Sequence, residues 1–385
     1  MIVQHPILWC AALLMAGIGI GLSFPLPYYL PLLAVAVASC TLLRKSHLHD
    51  VLTLFVWLLL GCSRAAIAPA SNHETAWQNA IGQKARGVQT FLIARLESSG
   101  VSPQTLELCS ALVVGKKEGL KHETKQAYRQ VGASHLLALS GMHLGIIYGI
   151  IYLVLIRQVR ISRWRWHVLP IVLACLWGYV LIAGMPVSLV RAALMLSVFT
   201  IISLMQYDTD PLHTLALSAI IILLIQPTDL LSISFQLSFA AVFFLLALWS
   251  PLEEKFPRMP WLIRLLAVSC VASFGTMPLI VFYFHQLPLL GPLLSLVLIP
   301  LTTVIIWLTL AAMLLPVHPI GWLLSAVASS QQEIIDSAGS IPYTMLSDIH
   351  PNALTVALMY GAMVIAIARL RTRPQSLEKS ASIWR

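Results

Sequence analysis

Apolar runs of membrane-spanning length recur along this chain, and a soluble fold cannot bury them all. They lie near Ile7–Phe24, Tyr28–Leu43, Val51–Ala68, Ser134–Ile156, Val168–Ala183, Val187–Met205, Leu212–Ile225, Leu230–Trp249, Leu262–Phe284, Leu289–Leu315 and Ala353–Ala368. A shorter, weaker run covers Ile320–Ser329. A helix rising about 1.5 Å per residue needs roughly 20 residues to cross the hydrocarbon layer, a length that many of these runs approach or reach. Charged residues make up 10% of the chain, against about 25% in a soluble domain. So little charge cannot clothe 385 residues in water. The expected fold is all-α: a polytopic integral membrane helical bundle with about ten to twelve crossings and interfacial amphipathic helices.

Four segments follow from the pattern. Residues 1–70 form N-terminal transmembrane helices, 71–131 an external amphipathic segment, 132–370 the main transmembrane domain and 371–385 a basic cytoplasmic tail. Within the second segment, Trp77, Ile81, Val88, Phe91, Leu92 and Leu96 recur at helical spacing among Lys84, Arg86, Arg95 and Glu97, the pattern of a helix lying on a membrane. Thr105–Gln130 reads as one or two further helices broken at Gly115 and Gly119, and Gln331–His350 as an interfacial piece. Basic residues cluster at Arg44–Lys45, at Arg157, Arg160, Arg163 and Arg165, at Lys255 and Arg258, and at Arg369, Arg371, Arg373 and Lys379. An N-terminus inside puts all four clusters in the cytoplasm and 71–131 outside. The parity closes if Ile320–Ser329 crosses or a neighbouring run is re-entrant.

Ionisable groups at membrane depth cost about 2.5–3.5 kcal/mol on insertion scales, so each is a functional candidate. His135, Ser140 and His143 fall in one apolar run and, on a continuous helix, share one broad face. Either they line a water path, or His135 sits at the interface and His143 bonds a neighbouring helix. Gly141 and Gly145 form a small-xxx-small pair suited to close helix packing. Arg191 stands near the start of an apolar run, placed either to snorkel outward or to meet phosphate in a water-filled path. Gln236 lies between Ser234 and Ser238, which are one turn apart and suited to bonds between helices. His285 precedes Pro288 and Gly291, and Pro292 and Pro300 interrupt the run that follows.

The residues give no catalytic, cofactor or metal site. Six cysteines lack CxxC spacing, His47-Leu48-His49-Asp50 lacks hydrolase spacing, and neither a Walker A string nor a GxSxG elbow occurs. Ser140 with His143 lacks an identifiable acid to complete a hydrolytic arrangement.

Several strings, taken together, resemble a known family. They are Ala111-Leu112-Val113-Val114-Gly115-Lys116-Lys117 followed by His135 to His143, then Gly184 with Arg191-Ala192-Ala193-Leu194-Met195. Ser234 to Ala241 come next, then Phe284-His285-Gln286 with Pro300. In this order, over roughly residues 105–315, they resemble the signature of the ComEC-type competence proteins. The resemblance implies a multi-pass channel of the bacterial inner membrane that takes up single-stranded DNA during natural transformation, with no enzymatic step of its own. It also implies the lipid bilayer as solvent and a cytoplasmic helicase and DNA receptor proteins as partners. On this reading His135, Ser140, His143, Arg191, Gln236 and His285 line the DNA path. Larger members carry an OB-like and a metallo-β-lactamase-like domain. Residues 71–131 are too short for the first, and only a basic tail follows Ala368. Two other readings remain open: a small-solute or lipid transporter using the same polar cavity, and an accessory remnant that conducts nothing.

The charge asymmetry makes one direct prediction. In a variant with all native cysteines replaced, Gln78→Cys should react with an impermeant thiol reagent on intact spheroplasts and Gln158→Cys should not. The reverse pattern would overturn the orientation.

Overall fold

The computed structural model describes residues 6–24, 29–42, 48–67, 76–116, 119–137, 139–156, 162–205, 210–341 and 344–371. It is a helical bundle, with five helices long and apolar enough to cross a membrane and five shorter apolar ones among the described residues. The chain is a multi-pass membrane protein. Arg44, Lys45, Arg157, Arg160, Arg373 and Lys379, on which the expected orientation leans, lie outside the described residues.

The N-terminal helices α1 (Pro6–Ser23), α2 (Tyr29–Leu42) and α3 (Leu48–Ile67) pack side by side. Small residues let α1 and α3 touch backbone to backbone. A Cβ on Gly21 would lie 2.6 Å from the Cys62 carbonyl oxygen, and Cβ atoms on Gly17 and Gly61 would run into the carbonyls of Leu58 and Leu14. Leu14 and Ile18 then face Ala219, Ile220 and Leu223 of α11 (Pro211–Ile225) in a shared core.

The segment after these helices is α4 (Ala76–Ser98), α5 (Pro103–Cys109), a π turn at Ser110–Val114, α6 (His122–Gln130) and α7 (Ser134–Leu137). Ser102 caps α5, accepting from the Thr105 N–H at 3.3 Å, with Pro103 opening the helix. Gly115 ends the π turn at φ 85°, where a Cβ would lie 2.7 Å from Leu139. The break expected there is present.

The bundle continues with α8 (Gly141–Ile151), which ends in a π turn at Tyr152–Ile156, then α9 (Ser162–Ile182), α10 (Val187–Leu204) and α11. A 3-10 turn at Pro227–Leu231 leads to α12 (Ile233–Lys255) and α13 (Trp261–Phe284). The two-residue strand β1 (Leu287–Pro288) precedes α14 (Gly291–Leu314) and α15 (His318–Gly339). Strand β2 (Met345–Leu346) pairs antiparallel with β1, and α16 (Ala353–Arg371) follows.

The structure differs from expectation in two places. Pro300 does not break its run: α14 is continuous, and Pro292 sits at its first turn, where a missing N–H costs nothing. The weak run Ile320–Ser329 and the start of the interfacial piece are one helix, α15, which returns antiparallel along α14. Thr302 meets Gln331 at 3.3 Å between them. Helices α14 and α15 thus form a hairpin. It starts beside β1 and delivers the chain to β2, and Ile349 N–H then bonds the His285 carbonyl at the end of α13. Helix α16 therefore begins at the end of the bundle where α13 finishes. The core of the hairpin is shared with α4 to α7 through Leu96, Leu112, Tyr128, Leu298, Ile305 and Leu324.

Gly17→Ala should lower the melting temperature of the detergent-solubilised chain, a destabilisation of about 1–3 kcal/mol for an overpacked contact. Gly19→Ala, where a Cβ meets nothing within 4 Å, should leave it unchanged or slightly raised. Differential scanning fluorimetry measures both.

Candidate functional site

The chain turns between α9 and α10 through two left-handed residues, Gly184 at φ 81° and Met185 at φ 54°. Ser188 donates to the Leu139 carbonyl at 2.7 Å and ties the start of α10 to the start of α8. One turn later stands Arg191, 2% exposed. Its Nη2 donates to Ser234 Oγ on α12, while Nε and Nη1 have no hydrogen-bond partner among the described residues. Asp229, in the 3-10 turn, is buried nearby: burial pushes its carboxyl up from the ordinary value and the Arg191 charge opposes that shift. Arg191 thus points into the protein, not outward along a snorkelling path, because the start of its helix is pinned to α8.

Gln236 lies two residues past Ser234 and turns to another neighbour. Its Nε2 donates to the Leu230 carbonyl at 3.0 Å, and its Oε1 accepts from the Tyr283 hydroxyl of α13 at 2.8 Å. The start of α12 therefore presents Ser234 to α10 and Gln236 to α13.

His135 and His143 do not share a helix. Helix α7 ends at Leu137, Ser140 is extended at φ −125° and ψ 172°, and α8 begins at Gly141. The helical extrapolation from His135 fails at this break. His135 is exposed, with Nδ1 3.2 Å from the Gly132 carbonyl oxygen. His143 is fully buried, with Nδ1 3.1 Å from Ser140 Oγ. A Cβ on Gly141 would lie 3.3 Å from the Ala192 Cβ, so the Ser140–His143 pair adjoins the turn of α10 that carries Arg191. Gly145 has open space around it, and the close approach rests on Gly141 alone. His285 sits at the exposed end of α13, its ring 4.3 Å from that of His350. The fold gathers Arg191, Ser234 and Asp229, sets Ser140 and His143 beside Ala192, and leaves His135 and His285 on exposed edges.

Sequence reasoning missed several polar groups. Asp229 lies between the Leu212–Ile225 and Leu230–Trp249 runs and Tyr283 near the end of the Leu262–Phe284 run, and neither stands out there as a candidate. Arg64 carried a usable signal as the single cation in the Val51–Ala68 run: its Nε and Nη2 cap the end of α11 at the Leu224 and Ile225 carbonyls, at 2.6 and 2.9 Å. Arg95 does the same for α14 at Met313 and Leu314, both at 2.6 Å. Among the described residues no group of three His, Cys, Asp or Glu is placed to hold a metal. His47 and the side chains of His49 and Asp50 lie outside them.

These features define a class, a polytopic helical membrane protein that holds charged and polar groups between its helices. The chain belongs to the competence protein family, whose model matches residues 112–373. It is similar to the ComE operon protein 3 of Bacillus subtilis, 31% identical over 211 residues, covering 55% of this chain and 26% of that protein. It is similar to the Recombination protein 2 of Haemophilus influenzae, 29% identical over 219 residues, covering 53% and 27%. A third relative, the Uncharacterized protein MG316 homolog of Mycoplasma pneumoniae, is 28% identical over 257 residues, covering 62% and 65%. The chain spans about a quarter of the length of the first two. No solved structure matches it.

The Arg191–Asp229 neighbourhood predicts non-additivity. Asp229→Asn and Arg191→Leu should each lower thermal stability, and the double variant should lose less than the sum, by a coupling of about 0.5–3 kcal/mol. Strict additivity would show that the two charges do not interact.

Proposed function

We propose that this chain forms a passage in the bacterial inner membrane through which single-stranded DNA enters the cell, by conduction and without a catalytic step. The observation that carries the reading is Arg191, a guanidinium sealed between helices with two of its N–H-bearing nitrogens unbonded among the described residues. A cation kept at such cost inside a membrane protein suits an anion that comes and goes, and the planar fork of arginine matches phosphate. Ser140, His143, Ser234 and Gln236 add weak polar contacts near it or on the helices that carry it. Weak, distributed contacts suit a translocating polymer, which must leave as readily as it enters. His135 and His285, on exposed edges, belong to the approaches. Membership of the competence family supports the same reading. The partners are receptor proteins that deliver DNA and a cytoplasmic helicase that draws the strand inward.

The test separates path from scaffold. In the native competent host lacking the chromosomal copy, Arg191→Leu combined with Asp229→Asn removes both charges together. At parental abundance it should bind DNA at the cell surface normally and lose transformation by at least about tenfold, the effect of one charge-assisted contact. Arg191→Lys should fall between, since charge remains and the fork is lost. Parental transformation by the double variant would sink the arginine's role, and a transformation-proficient deletion strain would favour a small-solute or lipid transporter.

A further inference from the structure

Helix α6 carries a charge pattern that its packing does not require. The helix is held by Tyr128, fully buried, whose hydroxyl accepts from Gln331 Nε2 of α15 at 3.0 Å. Gln331 Oε1 in turn accepts from Thr302 of α14. Burial pushes the Tyr128 phenol well above its ordinary value, so it holds this network as a neutral group. Along the exposed side, Lys121, Lys125 and Arg129 follow one another at four-residue spacing, with exposed His122 beside the first.

Like charges one turn apart repel. Glu123 in the first turn and Arg129 in the last suit the helix dipole, but Lys121 and His122 oppose it at the positive end. Among the described residues, Lys121, Lys125 and Arg129 are in no ion pair. Among the described residues no ion pair relieves the repulsion, which fits relief by an anionic partner.

The surroundings select the kind of anion. From Leu92 to Ile151 no large apolar side chain is exposed among the described residues, whereas α14 exposes Val297, Val304 and Trp307 and α15 exposes Trp322 and Leu323. A helix that binds lipid headgroups presents an apolar face to insert. Helix α6 presents none and faces water. Its end runs through the turn at Gly132, φ 74°, into α7 with the exposed His135, and the chain then reaches Ser140 and His143.

We propose that Lys121, Lys125 and Arg129 form a capture ridge for the phosphate backbone of single-stranded DNA at the mouth of the passage, which rests on the functional reading above. The full chain in phosphatidylcholine nanodiscs is titrated with fluorescent oligothymidylate across a salt series. Replacing all three residues by Gln should weaken binding about tenfold or more and lower the log–log salt slope by about two, at about 0.7 per phosphate contact. Lys121→Arg with Lys125→Arg should bind as the parent does. Equal affinity and slope in parent and triple-Gln chains overturn the ridge, and so does a parent that binds no oligonucleotide. Unchanged oligonucleotide binding with loss of copurified phosphatidylglycerol also overturns it, and assigns the ridge to lipid. None of these outcomes touches the Arg191 transformation result, which tests the passage independently.

Discussion

The bundle depends on satisfying backbone carbonyls where helices end or bend inside an apolar protein. Each helix leaves four C-terminal carbonyls without partners, and hydrocarbon offers no water to take them. The structure meets this with side chains sent from one helix to the end of another. Arg64 bridges α3 to the end of α11, and Arg95 bridges α4 to the end of α14. Gln89 donates to Ile182 at the end of α9 and to Val114 at the π turn, while Tyr179 reaches Val113. These bonds fix helix positions because each is directional and ties one helix to the end of another.

Against that background Arg191 is the exception. Arg64 and Arg95 aim two nitrogens each at carbonyls, while Arg191 gives one to Ser234 and keeps two without a hydrogen-bond partner among the described residues. A structural arginine is expected to be saturated, because an unmet buried donor costs the full desolvation penalty of its group. The contrast between three arginines in one chain argues for a separate role at Arg191 more strongly than its burial does alone. Asp229 moderates the cost by supplying opposite charge without closing the fork.

The segment before α8 does a different kind of work. It shares a core with the α14–α15 hairpin, yet from Leu92 to Ile151 no large apolar side chain is exposed among the described residues. The hairpin exposes Trp307 and Trp322 on its own outer sides. One core thus joins a hairpin with exposed apolar side chains to helices α5 to α7, which expose none of large size among the described residues.

The sequence by itself determined the membrane class, the order of the apolar helices, the break at Gly115 and the family, because these follow from run length, charge scarcity and short local strings. It also named Arg191, Ser234 and Gln236, since a polar group in an apolar run is conspicuous wherever the run folds. Tertiary structure alone decided which of them meet. The spacing of His135 and His143 suggested one helix face, but the extended backbone at Ser140 separates them, and no periodicity reveals a break of so few residues. Pro300 looked like an interruption and is absorbed by a packed helix. Asp229, which lies between two apolar runs, became the neighbour of a buried cation. Hydrophobic patterning records which residues leave water, whereas the partners they find there depend on contacts between segments far apart in the chain, which no local string encodes.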